Sequence, residues 1–260
     1  MFIWRFEVVR RLSSLVMLSV VLCTPAQADT VLGFTAGIDL WDMDSSGSIS
    51  DTTKADLQSF DLGSERGGVL SLAFEHPIPL VPNIKIRTND LSAEGDELLA
   101  ETFRFAGIDF ALGTEVNVEL DIQSTDFVFY YELLDNDIVS FDFGVNLKYL
   151  DGDIRVEDTT SGIASQDHFK GYVPMLYGAV EIGIPATRLS VYGDLNLLSV
   201  GDHTLQDYQA GVAFGLIENL AVDLRLKGGY RRFSLELDDL DGVYTDWDFE
   251  GAYLGLEADF

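Results

Sequence analysis

The feature that most restricts the fold is a period of two that recurs along the chain and runs to its last residue. Read back from the end, Phe260, Ala258, Leu256, Leu254 and Ala252 share one face, and Asp259, Glu257, Gly255, Tyr253 and Gly251 share the other. Strict alternation marks a β-strand with different surroundings on its two faces. The pattern returns over residues 30–41, where Leu32, Phe34, Ala36, Ile38 and Leu40 oppose Gly33, Thr35, Gly37 and Asp39. It is clearest over residues 139–149, where Val139, Phe141, Phe143, Val145, Leu147 and Tyr149 oppose Ser140, Asp142, Gly144, Asn146 and Lys148. A strand of a soluble sandwich alternates too, but it has no need to stop on a terminal aromatic. In a transmembrane β-barrel, lipid wets one face, the lumen the other, and an aromatic marks the interface.

The amino terminus points to export. Arg5, Arg10 and Arg11 precede an apolar run from Leu12 to Leu22, and Ala26-Gln27-Ala28 follows. A basic segment, a short apolar segment and an Ala-x-Ala site make a secretory signal peptide over residues 1–28. The run is too short for a membrane anchor, which needs roughly 20 apolar residues. Cys23 suggests a lipoprotein, but Leu22 precedes it where a small residue is needed. Three Arg and Glu7 leave with the peptide, taking 16 basic and 44 acidic residues to 13 and 43, a net charge near −30. Such acidity excludes nucleic acid as a partner, because its phosphates would be repelled. The remaining chain has no cysteine, so no disulfide staples it. No later stretch is long and apolar enough to span a membrane as a helix.

Short turns and longer acidic segments alternate along residues 29–260, which read as one domain. His76-Pro77-Ile78-Pro79-Leu80-Val81-Pro82-Asn83 is a turn, because three prolines remove ladder donors. Asp135-Asn136-Asp137, Pro185-Ala186-Thr187 and Glu218-Asn219 are further turns. Residues 42–67, 151–168 and 235–246 read as long polar loops. Within residues 92–113, residues 94–99 suggest a short helical turn, and Phe103, Phe105 and Phe110 suggest strand ends at an aromatic girdle. Residues 115–134 read as one long strand with a phase change, and a bulge, near Ser124. Short periplasmic turns and longer outside loops are the asymmetry of outer-membrane barrels. The expectation is a closed antiparallel barrel of ten strands, with eight as the alternative.

Two resemblances follow from particular residues. Gly255-Leu256-Glu257-Ala258-Asp259-Phe260 resembles the carboxy-terminal assembly signal of Gram-negative outer-membrane proteins, with Ala258 where a larger apolar residue is usual. It implies the cell outer membrane as location, and the barrel-assembly machinery as a partner that reads Phe260. The segments Glu75–Asn83, Val173-Pro174-Met175-Leu176-Tyr177 and Tyr130-Tyr131-Glu132 look like those of a small family of bacterial outer-membrane barrels without an assigned activity. That resemblance covers residues 29–260. It implies a fold and a location and supplies no catalytic or ligand residues.

Candidate chemistry is sparse. Asp42-Met43-Asp44-Ser45-Ser46-Gly47-Ser48-Ile49 imitates a calcium loop, but Thr53 stands where the bidentate carboxylate belongs, so a polar hairpin loop is the favoured reading. The acidic segment with Glu236, Asp238, Asp239, Asp241 and Asp246 is a candidate site for divalent cations bridging to lipopolysaccharide phosphates, beside the plainer reading of a solvated charge cluster. His168 and His203 stand next to Asp167 and Asp202 in segments where a lipid-modifying or omptin-like protease barrel keeps its site. Ser161, Ser165, Ser199 and Thr204 lie near them without a spacing specific to nucleophilic catalysis. No cofactor or metal is implied, and the expectation is no enzyme.

Alternation places a set of charges on the lumen side: Asp39, Lys85, Arg87, Asp142, Lys148, Glu181, Asp194, Arg225, Lys227 and Glu257. A buried charge must find a partner, so Arg225 or Lys227 is expected to pair with Glu257. A barrel of about eight to ten strands has an interior that side chains can fill. The first functional reading is therefore a structural or surface-interaction barrel, contacting outer-membrane lipid and lipopolysaccharide, with its lumen plugged by paired charges. The second is a narrow, porin-like channel for small solutes or ions lined by the same residues. An enzyme at the rim is the third.

Overall fold

A computed structural model describes residues 32–50, 58–136, 138–200, 203–219, 222–240 and 243–260. The signal-peptide segment and Thr53 lie outside the described residues. The strands are β1 (Gly33–Ser50), β2 (Gln58–Glu75), β3 (Asn83–Leu98), β4 (Phe103–Phe105), β5 (Ile108–Phe110), β6 (Glu115–Asp135), β7 (Val139–Asp158), β8 (Ala164–Gly183), β9 (Leu189–Val200), β10 (His203–Glu218), β11 (Asp223–Leu240) and β12 (Val243–Asp259). Ten of them close into an antiparallel barrel in the order β1-β12-β11-β10-β9-β8-β7-β6-β3-β2, and β4–β5 forms a separate hairpin. Closure pairs the first strand with the last, Ala36 facing Ala258 and Leu40 facing Leu254. The seam ends on Phe260, whose backbone N–H donates to the Phe34 carbonyl at 2.9 Å. A closed sheet leaves no backbone edge in a medium that cannot hydrogen-bond.

One end of the barrel carries the short turns, the start of β1 and the end of β12; we call it the turn end, and the opposite one the loop end. At the turn end the outer face is an apolar belt. Phe34, Ile38 and Leu40 on β1, Leu70, Leu72 and Phe74 on β2, and Phe141, Phe143, Val145 and Leu147 on β7 all point out and are exposed. This is the lipid-facing band of a transmembrane barrel. His76 completes the proline turn by accepting, at Nδ1, the N–H of Ile78 at 3.2 Å.

Beyond the belt the strands continue but their polarity inverts. On β1, Leu40 is 66% exposed and points out, whereas Trp41 and Met43, at 1% and 0%, point in between the outward Asp42 and Asp44. Much of the acidic sequence read as long loops is therefore strand, with β1, β7 and β11 running on to Ser50, Asp158 and Leu240. The reason is that these stretches alternate with apolar residues inward, as in a water-soluble barrel, so they lack the apolar outer face that marks a membrane strand. The calcium-like segment is part of β1: Asp42 pairs with Arg66 at 3.0 Å and Asp44 accepts from Ser64, so the two carboxylates are held apart. Residues 94–98 belong to β3 and are not a helical turn. Strand β6 keeps one phase past Ser124, burying Val116, Val118, Leu120, Ile122, Ser124, Asp126 and Val128 in turn. The irregularity lies instead between Glu132 and Leu134. What changes at Ser124 is the polarity of the lumen, not the register.

Candidate functional site

The interior of the barrel has three layers. At the loop end it is an apolar core, in which Val118 and Ile122 of β6, Phe233 of β11, and Trp247 and Phe249 of β12 are buried with Leu62 of β2. The β4–β5 hairpin folds onto this core as its lid. Its Phe103, Phe105 and Phe110 are buried rather than placed at a membrane girdle, with the Phe103 ring edge-on to Phe60 at 5.6 Å. The hairpin turns through Ala106 and Gly107 at φ 45° and 85°. Both angles suit a two-residue hairpin turn in which each central residue is left-handed, the second readily so as glycine. Ser165 of β8 fixes the turn, donating from Oγ to the Phe105 carbonyl at 3.0 Å.

Beneath the core lies a buried charge layer. Arg87 of β3 bonds Asp126 of β6 at 3.1 Å, Asp194 of β9 at 3.3 Å and Asp207 of β10 at 3.0 Å. Lys148 of β7 reaches Asp126 at 2.7 Å and Asp207 at 2.9 Å. Arg231 of β11 grips Asp207 through Nε and Nη2, both at 2.9 Å. Three cations thus meet three carboxylates on six strands, so the layer is neutral, as burial requires. Amides complete it: Asn146 donates to Asp126 at 2.7 Å, and Arg231 donates to Asn89 at 3.1 Å. Arg231 and Lys148 also sit over the Trp41 and Phe233 rings, 4.6 and 5.4 Å from their centroids, and join this layer to the core above.

Below the charge layer a cavity of 760 Å³ opens at the turn end. On one side, Arg225 binds Glu181 at 2.7 Å and Asp259 at 3.4 Å and also pairs with Glu257. Lys227 meets Glu257 at 2.7 Å and lies 4.5 Å from the Tyr192 ring centroid. The other side carries Glu75, Glu132 and Asp142 with Tyr130, Tyr177 and Lys85. Tyr130 donates to Glu75 at 2.8 Å.

The candidate lumen residues thus fall into two groups. Arg87, Lys148 and Asp194 belong to the charge layer, and Lys85, Asp142, Glu181, Arg225, Lys227 and Glu257 line the cavity, which Asp194 also touches. Asp39 sits half-buried on the same inner face as Gly37 and Trp41 of β1. Sequence reasoning left out Asp126 and Asp207, the anions that hold the layer together. Their signal was present: Asp207 precedes the outward Tyr208, and Asp126 keeps phase with Ile122 and Val128.

The rim residues are arranged differently. His168 stands on the outer wall with Nδ1 3.2 Å from Asp153 and Nε2 3.5 Å from Asp151. Ser161 donates to Asp158 at 2.6 Å and Ser165 to the lid, so neither bonds His168. Asp158 lies beyond the belt, and its carboxyl is held below the usual carboxylate range by the Ser161 hydroxyl and the Ser161 and Thr160 N–H groups. Among the described residues no group of three or more His, Cys, Asp or Glu has the spacing to hold a metal ion.

No protein-family model matches the chain, and no curated protein does. Similar solved structures are outer-membrane barrels. The outer membrane protease OmpT from Escherichia coli superposes with a TM-score of 0.55 at 11% identity, over 88% of this chain and 97% of that one. The transport unit of the autotransporter AIDA-I from Escherichia coli gives 0.42 at 6% identity, over 95% and 93%. Ail, the attachment invasion locus protein of Yersinia pestis, gives 0.36 at 13% identity, over 87% and 99%. At 11% identity the likeness to OmpT is one of fold alone.

Proposed function

We propose that this chain is a non-conducting barrel of the outer membrane, exported by its first 28 residues, whose role is structural or surface-interacting. The observation that carries this reading is the double closure of the lumen, by a neutral buried charge layer and by an apolar core with its own lid. A conducting pore needs a continuous wet path, and a dry core packed with side chains provides none. The orientation follows from the same plan: the turn end faces the periplasm, and the strand-built hairpins of the loop end stand outside. Their outer wall is acidic, with Asp42, Asp44, Glu119, Asp121, Asp151 and Asp153 facing solvent. Divalent cations bridging this wall to lipopolysaccharide phosphates, and recognition of Phe260 by the assembly machinery, belong to the same reading. No catalysis is assigned, because His168 on the outer wall has carboxylates beside it and, among the described residues, no nucleophile bonded to it.

Single-channel conductance of residues 29–260 refolded into a planar bilayer tests the proposal. The wild type should be silent. A variant lacking residues 100–113 and carrying Asp207→Ala should leak, because the core has then lost its hairpin and the charge layer the carboxylate that joins its three cations. Steady conductance in the wild type would overturn the reading in favour of a narrow pore.

A further inference from the structure

The cavity at the turn end holds an arrangement that the sealed lumen does not explain. Glu132 and Asp142 are direct cross-strand partners on the inner face, and Glu75 lies within electrostatic reach of both. Like charges placed directly opposite each other on a sheet repel. Across the cavity cations meet the carboxylates, Arg225 and Lys227 serving Glu181, Glu257 and Asp259, whereas here Glu75 has only the Tyr130 hydroxyl and Glu132 only the Asn83 amide. Asp142 has no hydrogen bond or ion pair among the described residues, and the nearby Lys85 makes no ion pair. A second, independent feature points into the same space. Tyr177 is only 4% exposed, yet its hydroxyl lines the cavity and donates to no described residue. Enclosed on all other sides and open only to the cavity, that phenol is placed to bond whatever occupies the space.

We infer that this acidic wall is a binding site for an organic polycation of the linear polyamine class, entering from the turn end. The space is sufficient, since 760 Å³ falls within the range of sites that take small molecules. The spacing disfavours one metal ion, because Glu75, Glu132 and Asp142 form no cluster that could hold one. Ammonium groups carried along a flexible chain suit carboxylates spread over one wall. Charge-assisted N–H···O bonds to Glu132 and Asp142 would offset their mutual repulsion, and the Tyr177 hydroxyl would accept a further N–H. Lys85, already present as an ammonium on this wall, would compete with the ligand. The inference goes beyond the surface role proposed above and does not depend on it, since the cavity is closed at its inner end in either case.

Calorimetric titration of the refolded chain in detergent micelles with spermidine tests this, using magnesium chloride at matched ionic strength as competitor. Saturable binding is expected, with affinity lowered at least tenfold in Asp142→Asn and several-fold in Tyr177→Phe. Affinity should rise several-fold in Lys85→Ala, which removes no carboxylate and so reads the site even if Asp142→Asn fails to fold. The variant Glu101→Gln, exposed at the loop end and away from the cavity, should bind like wild type. The inference fails if binding is absent or if Glu101→Gln weakens it as much as Asp142→Asn does. It also fails if Lys85→Ala leaves affinity unchanged or lowers it, or if magnesium displaces spermidine as well as spermidine itself.

Discussion

The two halves of the barrel are built from the same strands with opposite rules. Within the belt, β7 sends Phe141, Phe143, Val145 and Leu147 outward and Asp142, Asn146 and Lys148 inward. A few residues later the same strand, in the same phase, buries Leu150, Ile154 and Val156 and exposes Asp151 and Asp153. No bulge is needed for the change, because the surroundings exchange roles: lipid gives way to water outside, and a wet or charged lumen gives way to a dry core inside. A membrane barrel thus continues into a soluble one. The charge layer sits at the join, where Arg231 and Lys148 bond carboxylates and also cover the aromatic rings of the core.

The sharpest way to break this comparison is a pair of neighbours on β6. Val118 is fully buried and Glu119 faces solvent. Val118→Asp should cost upward of about 4 kcal/mol or prevent folding, because it buries a carboxylate without a partner. Glu119→Leu should change stability by no more than about 0.5 kcal/mol. Urea unfolding in micelles, followed by tryptophan fluorescence, checks both. Equal effects would mean that the loop-end half is not a packed core. Within the belt the sensitive face is the outer one. Val145→Arg, at mid-belt on the lipid face, should cost roughly 2–4 kcal/mol in a bilayer, as a charge near the midplane does. Ser190→Lys, which places the new charge in the acidic cavity instead, should cost less than about 1 kcal/mol. Comparable losses in refolding titrations into lipid vesicles would remove the inside–outside assignment.

The comparison also explains what could be read from the sequence. The belt was legible, because its alternation from Leu32 to Leu40 and from Ala252 to Phe260 has the polarity that lipid demands. The inner faces of β3, β11 and β12 followed, and with them Lys85, Arg87, Arg225, Lys227 and Glu257. Apart from β6, the loop-end half is not legible as strand, because phase and polarity are one signal only where the outer face is apolar. Val116, Val118, Leu120 and Ile122 share the inner face with Ser124 and Asp126. A rule that apolar residues face out must insert a bulge between them. Asp126 and Asp207 were missed for a related reason: which cations they hold is decided by long-range closure of the barrel, Arg87 and Asp207 being 120 residues apart. The lid was hidden because three phenylalanines near a tight turn suit a membrane girdle as well as a core.

The smallest expected effect lies at the far tip of the soluble half, in the link between β7 and β8. Asp158 accepts the Thr160 and Ser161 N–H groups at 2.8 and 3.0 Å, while its own carbonyl accepts the Gly162 N–H at 2.8 Å. The Ser161 hydroxyl first, then the Ser161 and Thr160 N–H groups, favour the ionised carboxylate and lower its pKa below the ordinary value. The sign of the pH effect follows. With the folded pKa depressed, the stabilisation is fully present above the unfolded value of about 3.9 and is lost as pH falls through the folded one. After correction for the intrinsic rate, exchange protection of the Gly162 amide should therefore hold from pH 6 to 4 and fall a few-fold below that. An Asp158→Asn variant should show no such fall. Val118, deep in the core, offers the contrast on the same half of the barrel: its amide should keep its protection over the same range. If both amides lost protection together, the loop-end half would be opening as a unit, and the claim that a rigid soluble barrel stands on the membrane-spanning one would fail.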